Sequence, residues 1–408
     1  MSTEKHAGDE EVRGPLTGIR VIEMGTMIAG PVVATLLADF GAEVIKIEHP
    51  EGGDPIRNIG PFVNGESLWW NVEGRNKRSI TIDLHLPAGQ SLVRDLVLGS
   101  DLVVENFRPG TMDKWNLSYG DLSKVNPRLV MLSVSGYGQT GPYAQRPAYD
   151  RIALAFAGML NMTGFPDRPP LRPGTAMADY QSALYGAFAA MVALFNRDAK
   201  SGTGQHIDLS LYESIFRFTD VMLTAYDKVG AKRERRGNEH FAAAPGDHFP
   251  TRDGKFVALT VSNNAVFARL CRAIGQTGLI EDPRFSSHTL RAAHLQEINS
   301  VVADWISAVS HDELRAAFDA EGVAYSFVYT VEDILNDPHY QARESFVTVD
   351  HPRMGPLKMQ GVMPRMTGTP SSRIRIAPEL GSDTDEILKS LLGLTVGEIA
   401  ALRSDGVC

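Results

Sequence analysis

Arg20-Val-Ile-Glu-Met24, Gly25-Thr-Met-Ile-Ala-Gly30, Pro31-Val-Val-Ala-Thr-Leu-Leu-Ala-Asp-Phe-Gly41 and Glu43-Val-Ile-Lys-Ile47 follow one another near the start of the chain, and their reading decides the fold. The first is a short apolar run of strand length, and the second is a loop of small residues. Pro31 suits the opening of a helix, where its missing N–H is no loss. The fourth stretch is again a strand. Strand, helix and strand within about thirty residues make a βαβ unit, which builds a parallel sheet.

The pattern recurs outward from this unit. Leu92–Leu98 reads as helix, Leu102–Glu105 as a buried strand, and Leu129–Val134 as another strand after the Asn126-Pro127 turn. A helical stretch at Asp150–Leu160 and a proline-rich loop, Pro166–Pro173, precede a long helix from about Asp179 to Phe195. Gln205–Leu209 alternates as a strand, and Leu211–Val229 reads as one helix. His248–Thr251 and Lys255–Val261 flank Asp253-Gly254, a hairpin signal. The expected class is α/β, with an open parallel sheet in a large Rossmann-like domain over 15–230 and 331–408. A smaller α+β domain is expected over 231–330, and residues 1–14 read as a disordered tail.

Composition bounds the function. A net charge of −9 argues against a nucleic-acid or anionic-membrane partner but leaves room for a local basic pocket. The two cysteines, Cys271 and Cys408, give neither a disulfide framework nor a zinc site, which fits a reducing, cytoplasmic compartment. The 11 histidines have no paired ligand spacing, so no metal is expected. No apolar run approaches the roughly 20 residues of a membrane span. The greasiest, Ala183–Phe195, is broken at Tyr185 and Gly186.

Gly136-Tyr-Gly138-Gln-Thr-Gly141 has dinucleotide spacing after a strand. Pro142 and Pro147 then deny it the helix on which a pyrophosphate would sit, so a nicotinamide site is not expected. Asp179 stands where an extended segment meets a helix. Position alone leaves two readings open, an N-cap or a partly sequestered carboxylate nucleophile. Basic residues gather in the first third, at Lys46, Arg57, Arg75, Lys77, Arg78, Arg108 and Lys114. Singly these are surface charges; together, near strand ends, they suit a phosphate-binding crevice.

At these residues the chain resembles the family III CoA-transferases. The matching stretches include Ile28-Ala-Gly-Pro31, Asp39-Phe-Gly-Ala-Glu-Val-Ile-Lys-Ile-Glu48, Asn76-Lys-Arg-Ser79, Glu105-Asn-Phe-Arg-Pro-Gly110, Ala178-Asp179 and Gly202-x-Gly204-Gln205, within a likeness covering roughly 15–408. The resemblance implies that Asp179 is the catalytic aspartate, forming a mixed anhydride and then an aspartyl-CoA thioester. It implies coenzyme contacts at Ile28, Ala29, His49, Asn76, Lys77, Asn106, Phe107, Arg108, Lys114, Gly136, Tyr137 and Gly138. Acyl-CoA is then a substrate and no cofactor is bound permanently; the implied assembly is an interlocked homodimer, with a heteromer as the other possibility. A likeness to succinyl-CoA-using members around Gly136–Pro142 and Ala148–Asp150 suggests succinyl-CoA as donor and small dicarboxylic acids as acceptors.

Two departures from the family pattern stand out. The glycine-run lid is reduced to Phe241-Ala-Ala-Ala-Pro-Gly246, with one glycine, and the family's usual histidine before the last helices is Asp383. The alternatives are a 2-methylacyl-CoA racemase and a non-catalytic partner subunit of a heteromeric transferase. The racemase branch carries Gly-His-Asp where this chain has Ala148-Tyr149-Asp150, and Tyr149 is a poor base for α-proton exchange. Retention of Asp179 opposes the non-catalytic reading.

Overall fold

The computed structural model describes residues 14–239 and 243–408. By its internal contacts the chain divides into two compact units, one of residues up to Met159, Arg172–Asp227 and Glu344–Cys408, the other of Leu160–Leu171 and Lys228–Arg343. The second unit therefore takes in the proline-rich loop as far as Leu171, and runs past 330.

The first unit is built on β1 (Arg20–Glu23), α1 (Ala29–Asp39), β2 (Glu43–Glu48), β3 (Lys77–Thr81), α2 (Pro87–Leu98), β4 (Leu102–Glu105) and β5 (Val130–Ser135), then α3 (Asp150–Phe156), α4 (Met177–Asn196) and β6 (His206–Ser210). The six strands form one sheet in the order β3-β2-β1-β4-β5-β6, and every adjacent pair is parallel. β4 and β5 are buried along their whole length, as strands covered on both faces must be. α1 is buried on nearly every side, so its apolar sequence faces protein all round. Between β1 and β4 the strand order reverses direction, and loops leaving the carboxyl ends of those two strands diverge to opposite faces.

The expected single helix over Leu211–Val229 is two, Leu211–Phe216 and Met222–Val229. Asp220 between them adopts φ +45, a left-handed conformation that no helix continues through. No helix opens at Gly141; the next begins at Asp150, in keeping with the absence of a dinucleotide fingerprint.

The second unit pairs β7 (Gly246–Pro250) with β8 (Phe256–Thr260) as an antiparallel hairpin, turning at Gly254 with φ +82. Helices α5 (Asn264–Ala273), α6 (Leu295–Ala308) and α7 (His311–Glu321) and strand β9 (Tyr325–Phe327) complete it around Val257, Phe267, Leu270, Ile298 and Phe318. Phe241 and Ala242 of the reduced lid segment lie outside the described residues.

The last residues return to the first unit. A hairpin of β10 (Phe346–His351) and β11 (Gly355–Gln360) leads to α8 (Thr384–Leu392) and α9 (Val396–Ser404). Ile387, Leu388, Ile399 and Val407 join the core formed by Ile80, Leu92 and Val93. Polar ties repeat the connection. The Arg375 N–H donates to Asn76 Oδ1 at 2.7 Å, Trp70 Nε1 to the Pro378 carbonyl at 3.1 Å, and the Asp83 N–H to the Val407 carbonyl at 2.8 Å. Asp383, the family's histidine position, accepts the Ser79 N–H at 3.0 Å.

Candidate active site

The loop after β1 is held from three sides. Lys46 donates to the Gly25 carbonyl at 2.6 Å, Asn106 both accepts the Thr26 N–H at 2.7 Å and donates to the Thr26 carbonyl at 2.9 Å, and Asp54 accepts the Met27 N–H at 3.0 Å. Gly25 is required here, because a Cβ on it would lie 2.9 Å from Asn106 Oδ1. Asn106 thus links the β1 and β4 loops across the point where the strand order reverses, and presents Ile28 and Ala29 at the start of α1. Beneath lies a buried ion cluster: Glu23 pairs with Lys46 and with Lys77, each at 2.8 Å, and Lys46 also pairs with Asp54 at 2.8 Å. Burial disfavours the Lys46 ammonium, but the Glu23, Asp54 and Glu48 carboxylates outweigh that penalty and hold it above its usual range.

Beside this loop a cavity of about 110 Å³ is lined by Met24, His49, Leu84, His85, Phe107 and Trp115. Its wall is a run of edge-on rings, Phe107 to Trp115 at 5.0 Å, Trp115 to His85 at 5.5 Å, and His85 to His49 at 6.1 Å. Arg108 and Lys114 flank the two inward aromatics in sequence and are exposed, and among the described residues neither has an ion-pair partner. The cavity is thus an aromatic slot, with two exposed cations next in sequence to the aromatic residues that line it.

Of the expected coenzyme residues, His49 and Phe107 line this cavity, Asn106 is bonded to Thr26 on the adjoining loop that leads to Ile28 and Ala29, and Arg108 and Lys114 are exposed sequence neighbours of the lining Phe107 and Trp115. Asn76 and Lys77 behave otherwise. Lys77 opens β3, and its buried ammonium is held by Glu23 and by the Pro31 carbonyl at 2.8 Å, so it has no exposed N–H for a phosphate. The Asn76 side chain is taken by Asp39 at 2.8 Å and by the Arg375 N–H. Leu84, His85 and Trp115 were missed by the sequence reading. For Leu84 and His85 the signal was available, because they follow the carboxyl end of β3, the end at which such sheets bind ligands.

Gly136, Tyr137 and Gly138 follow β5 at the same edge. Gly136 has no room for a side chain, since a Cβ would meet that of Ala148 at 2.3 Å, and Tyr137 packs edge-on against Phe156 of α3 at 5.1 Å. The loop is thereby fixed to the segment that carries Asp150.

α4 returns the chain from the carboxyl edge of the sheet to the start of β6, so its N-terminus also faces that edge. Gly186 lets it sit close to the sheet: a Cβ there would lie 2.8 Å from Val33 Cγ2 and 3.0 Å from Leu132 Cδ2. The helix begins at Met177 with Ala176 in the cap position, so Asp179 is a first-turn residue and not an N-cap, and no side chain of its own chain start caps the helix. The Ala178 N–H is capped instead by Asp150 Oδ1 at 2.7 Å. Asp179 is half-buried, and its carboxyl is pushed up to about 7, first by desolvation and then by the Asp150 charge. The next residue, Tyr180, donates its hydroxyl to the buried Glu73 at 2.7 Å.

At this helix start the Met177 N–H is engaged with Thr175 O at 2.9 Å and the Ala178 N–H with Asp150, and the Tyr180 N–H makes an intrahelical bond to Ala176 O at 3.1 Å.

Against known proteins, the profile of CoA-transferase family III matches residues 16–384. The succinyl-CoA–D-citramalate CoA-transferase of Chloroflexus aurantiacus is 43% identical over 394 residues, covering 96% of this chain and 98% of that protein. The beta subunit of the succinyl-CoA–L-malate CoA-transferase of the same organism is 43% identical over 397 residues, with 96% and 98% covered. A crystal structure of a CaiB/BaiF family protein from Brucella suis matches with a TM-score of 0.82 at 33% identity, covering 93% of this chain and 100% of that one.

Proposed function

Because this chain belongs to CoA-transferase family III, and is an enzyme that moves coenzyme A between carboxylic acids, we propose that it takes CoA from succinyl-CoA and passes it to a small dicarboxylic acid through Asp179. The observation that carries this reading is the Asp179 carboxylate: not spent as an N-cap, half-buried at the carboxyl edge, and far less acidic than an ordinary aspartate. The matched relatives named for succinyl-CoA, citramalate and malate support the substrate class.

In the proposed sequence an Asp179 oxygen attacks the thioester carbonyl, the C–S bond breaks, and CoA leaves as thiolate with a mixed anhydride on Asp179. The thiolate attacks the aspartyl carbonyl and releases the donor acid, leaving an aspartyl-CoA thioester. The acceptor carboxylate attacks that thioester, and the same steps in reverse form the new acyl-CoA. A carboxyl near 7 is a stronger nucleophile than an ordinary aspartate, yet still substantially ionised at neutral pH. The aromatic slot and the free Arg108 and Lys114 suit an adenine and the phosphates of the coenzyme. Such remote contacts supply binding energy that acts at the reacting carbonyl.

A second copy is part of this reading. Leu184, Phe188, Val192 and Phe195 fall on one face of α4 and are 52, 66, 50 and 64% exposed, a stripe that a lone chain leaves in water. The racemase reading has no support at position 149, where Tyr149 is 74% exposed.

The test supplies succinyl-CoA without acceptor. Borohydride or hydroxylamine is expected to modify the peptide holding Ala178-Asp179-Tyr180, and Asp179→Asn to abolish both label and transfer. An Asp179→Asn enzyme that transfers at near-native rate without deamidation rejects the mechanism. Transfer to formate or oxalate, with none from succinyl-CoA, rejects the substrate class.

A further inference from the structure

Asp150 is the first residue of α3, and its two carboxylate oxygens face different partners. Oδ1 accepts the Ala178 N–H at 2.7 Å, one residue before Asp179, and Oδ2 faces the Arg172 guanidinium at 3.8 Å. Arg172 in turn donates to the Thr175 carbonyl at 3.3 Å, so Arg172, Thr175 and Ala178 form a short arc around Asp150. A carboxylate is an unusual capping group to import from another helix, since local Ser, Thr or Asn would satisfy the same N–H. Here the imported cap also brings a negative charge next to the carboxylate that reacts.

We propose that Asp150 is a positioning residue for Asp179: it fixes the first turn of α4 through the Ala178 N–H and holds a negative charge beside the Asp179 carboxylate, with Arg172 as the counter-charge that limits it. The inference rests on the reading of Asp179 as the nucleophile. Charged and titratable side chains on the elements packed against α4 are Asp39 on α1, Asp150 and Arg151 on α3, Arg197, Asp198 and Lys200 on the turn Arg197–Ser201 at its far end, His206 and Asp208 on β6, and Tyr212 and Glu213 on Leu211–Phe216. Asp39 is occupied by Arg75 and Asn76, and Glu213 by Ser210. Glu73 reaches the same turn through the Tyr180 hydroxyl. Of these, Asp150 is the group whose charge acts on Asp179. The consequence for the reaction is basicity: an aspartate kept from ionising until near neutral pH attacks a thioester better than one that ionises near 4.

Two substitutions separate charge from scaffolding. Asp150→Asn keeps an oxygen for the Ala178 N–H and loses the charge; Arg172→Gln removes the counter-charge. The pH at which Asp179 is half ionised is read in two ways: from esterification of the Asp179 peptide by a diazo reagent, which needs no turnover, and from the acid limb of kcat/KM. Asp150→Asn is expected to move both midpoints down by on the order of 0.5–1 pH unit, and Arg172→Gln to move both up. A purely structural role would lower rates and leave the midpoints in place. Midpoints within about 0.2 unit of the parent in both variants, or shifts of the same sign, overturn the proposal. The esterification midpoint reports Asp179 whether or not it attacks. Unshifted midpoints with an inactive Asp179→Asn therefore reject this coupling alone, whereas an active Asp179→Asn rejects the nucleophile reading and this inference with it.

Discussion

Asp179 carries opposite demands for stability and for chemistry. Its carboxyl lies above the ordinary aspartate range, so the folded protein holds that proton more tightly than the unfolded chain does. Its contribution to stability is complete below about pH 4 and is lost as pH rises through about 7. Asp179→Asn, which cannot ionise, is therefore expected to be more stable than the parent at pH 8, by on the order of 1 kcal/mol given the solvent around a half-buried group. The gain should vanish near pH 4, and thermal melts at the two pH values check it. Activity should run the other way, with kcat/KM of the parent rising between pH 6 and 8. Glu105, buried below the Phe107 loop and accepting the Phe107 N–H at 2.7 Å, is also pushed up to about 7, chiefly by desolvation. If Asp179 sets the acid limb, Glu105→Gln leaves its midpoint in place; a limb that disappears in Glu105→Gln assigns it to Glu105 instead.

Lys77 and Arg108 illustrate how alike residues part company. Lys77→Met strands Glu23 with half of its buried partners, and should cost about 3–5 kcal/mol measured by denaturant unfolding. Arg108→Ala should leave stability nearly unchanged and raise KM for acyl-CoA, more than a few-fold and less at high salt, where the guanidinium is already screened.

At the scale of elements, the helix–sheet contact around Gly186 decides where Asp179 is held. Gly186→Ala gains up to about 1 kcal/mol of helix propensity but drives a methyl into Val33 and Leu132. We expect net destabilisation of about 1–2 kcal/mol together with a fall in kcat larger than the change in KM, because α4 must tilt to relieve the contact. Periodicity made most such elements legible. β1, α1, β2 and β4 lie within two residues of their sequence-based positions, since each is an apolar run bounded by glycine, proline or a change of period. The site was less legible. A sequence does not say which of Lys77 and Arg108 points into the core, because both are cations beside strands and only packing separates them. Nor does it pair Asp150 with Ala178, whose hydrogen bond joins two helices 28 positions apart. The N-cap reading of Asp179 failed for a local reason: the helix starts on Met177, three residues before the Tyr180 start that an Asp179 cap implies, and its Ala178 N–H takes its cap from Asp150.

At the scale of the whole molecule, the second copy proposed above would cover the exposed apolar face of α4. Phe188→Glu is expected to shift a dimer toward monomer in light scattering without unfolding the chain, since the side chain is exposed in a single copy. A variant that remains wholly dimeric excludes this face from the interface. Among the described residues no helix is long and apolar enough to cross a membrane.

The ties between Asn76 and Arg375, Trp70 and Pro378, and Asp83 and Val407 have a consequence for synthesis. β3 and its exit loop leave the ribosome early, but the residues that cover them are made about 300 positions later, on the order of 15–65 s at ordinary translation rates. Through that interval the nascent sheet has an uncovered edge, while the other unit, encoded in between, has everything its own core requires. Ribosome-bound chains cut short before Val407 should therefore protect the second unit from protease before they protect the segment around β3, and slow translation of the last forty codons should make the enzyme more dependent on chaperones that hold β-edges.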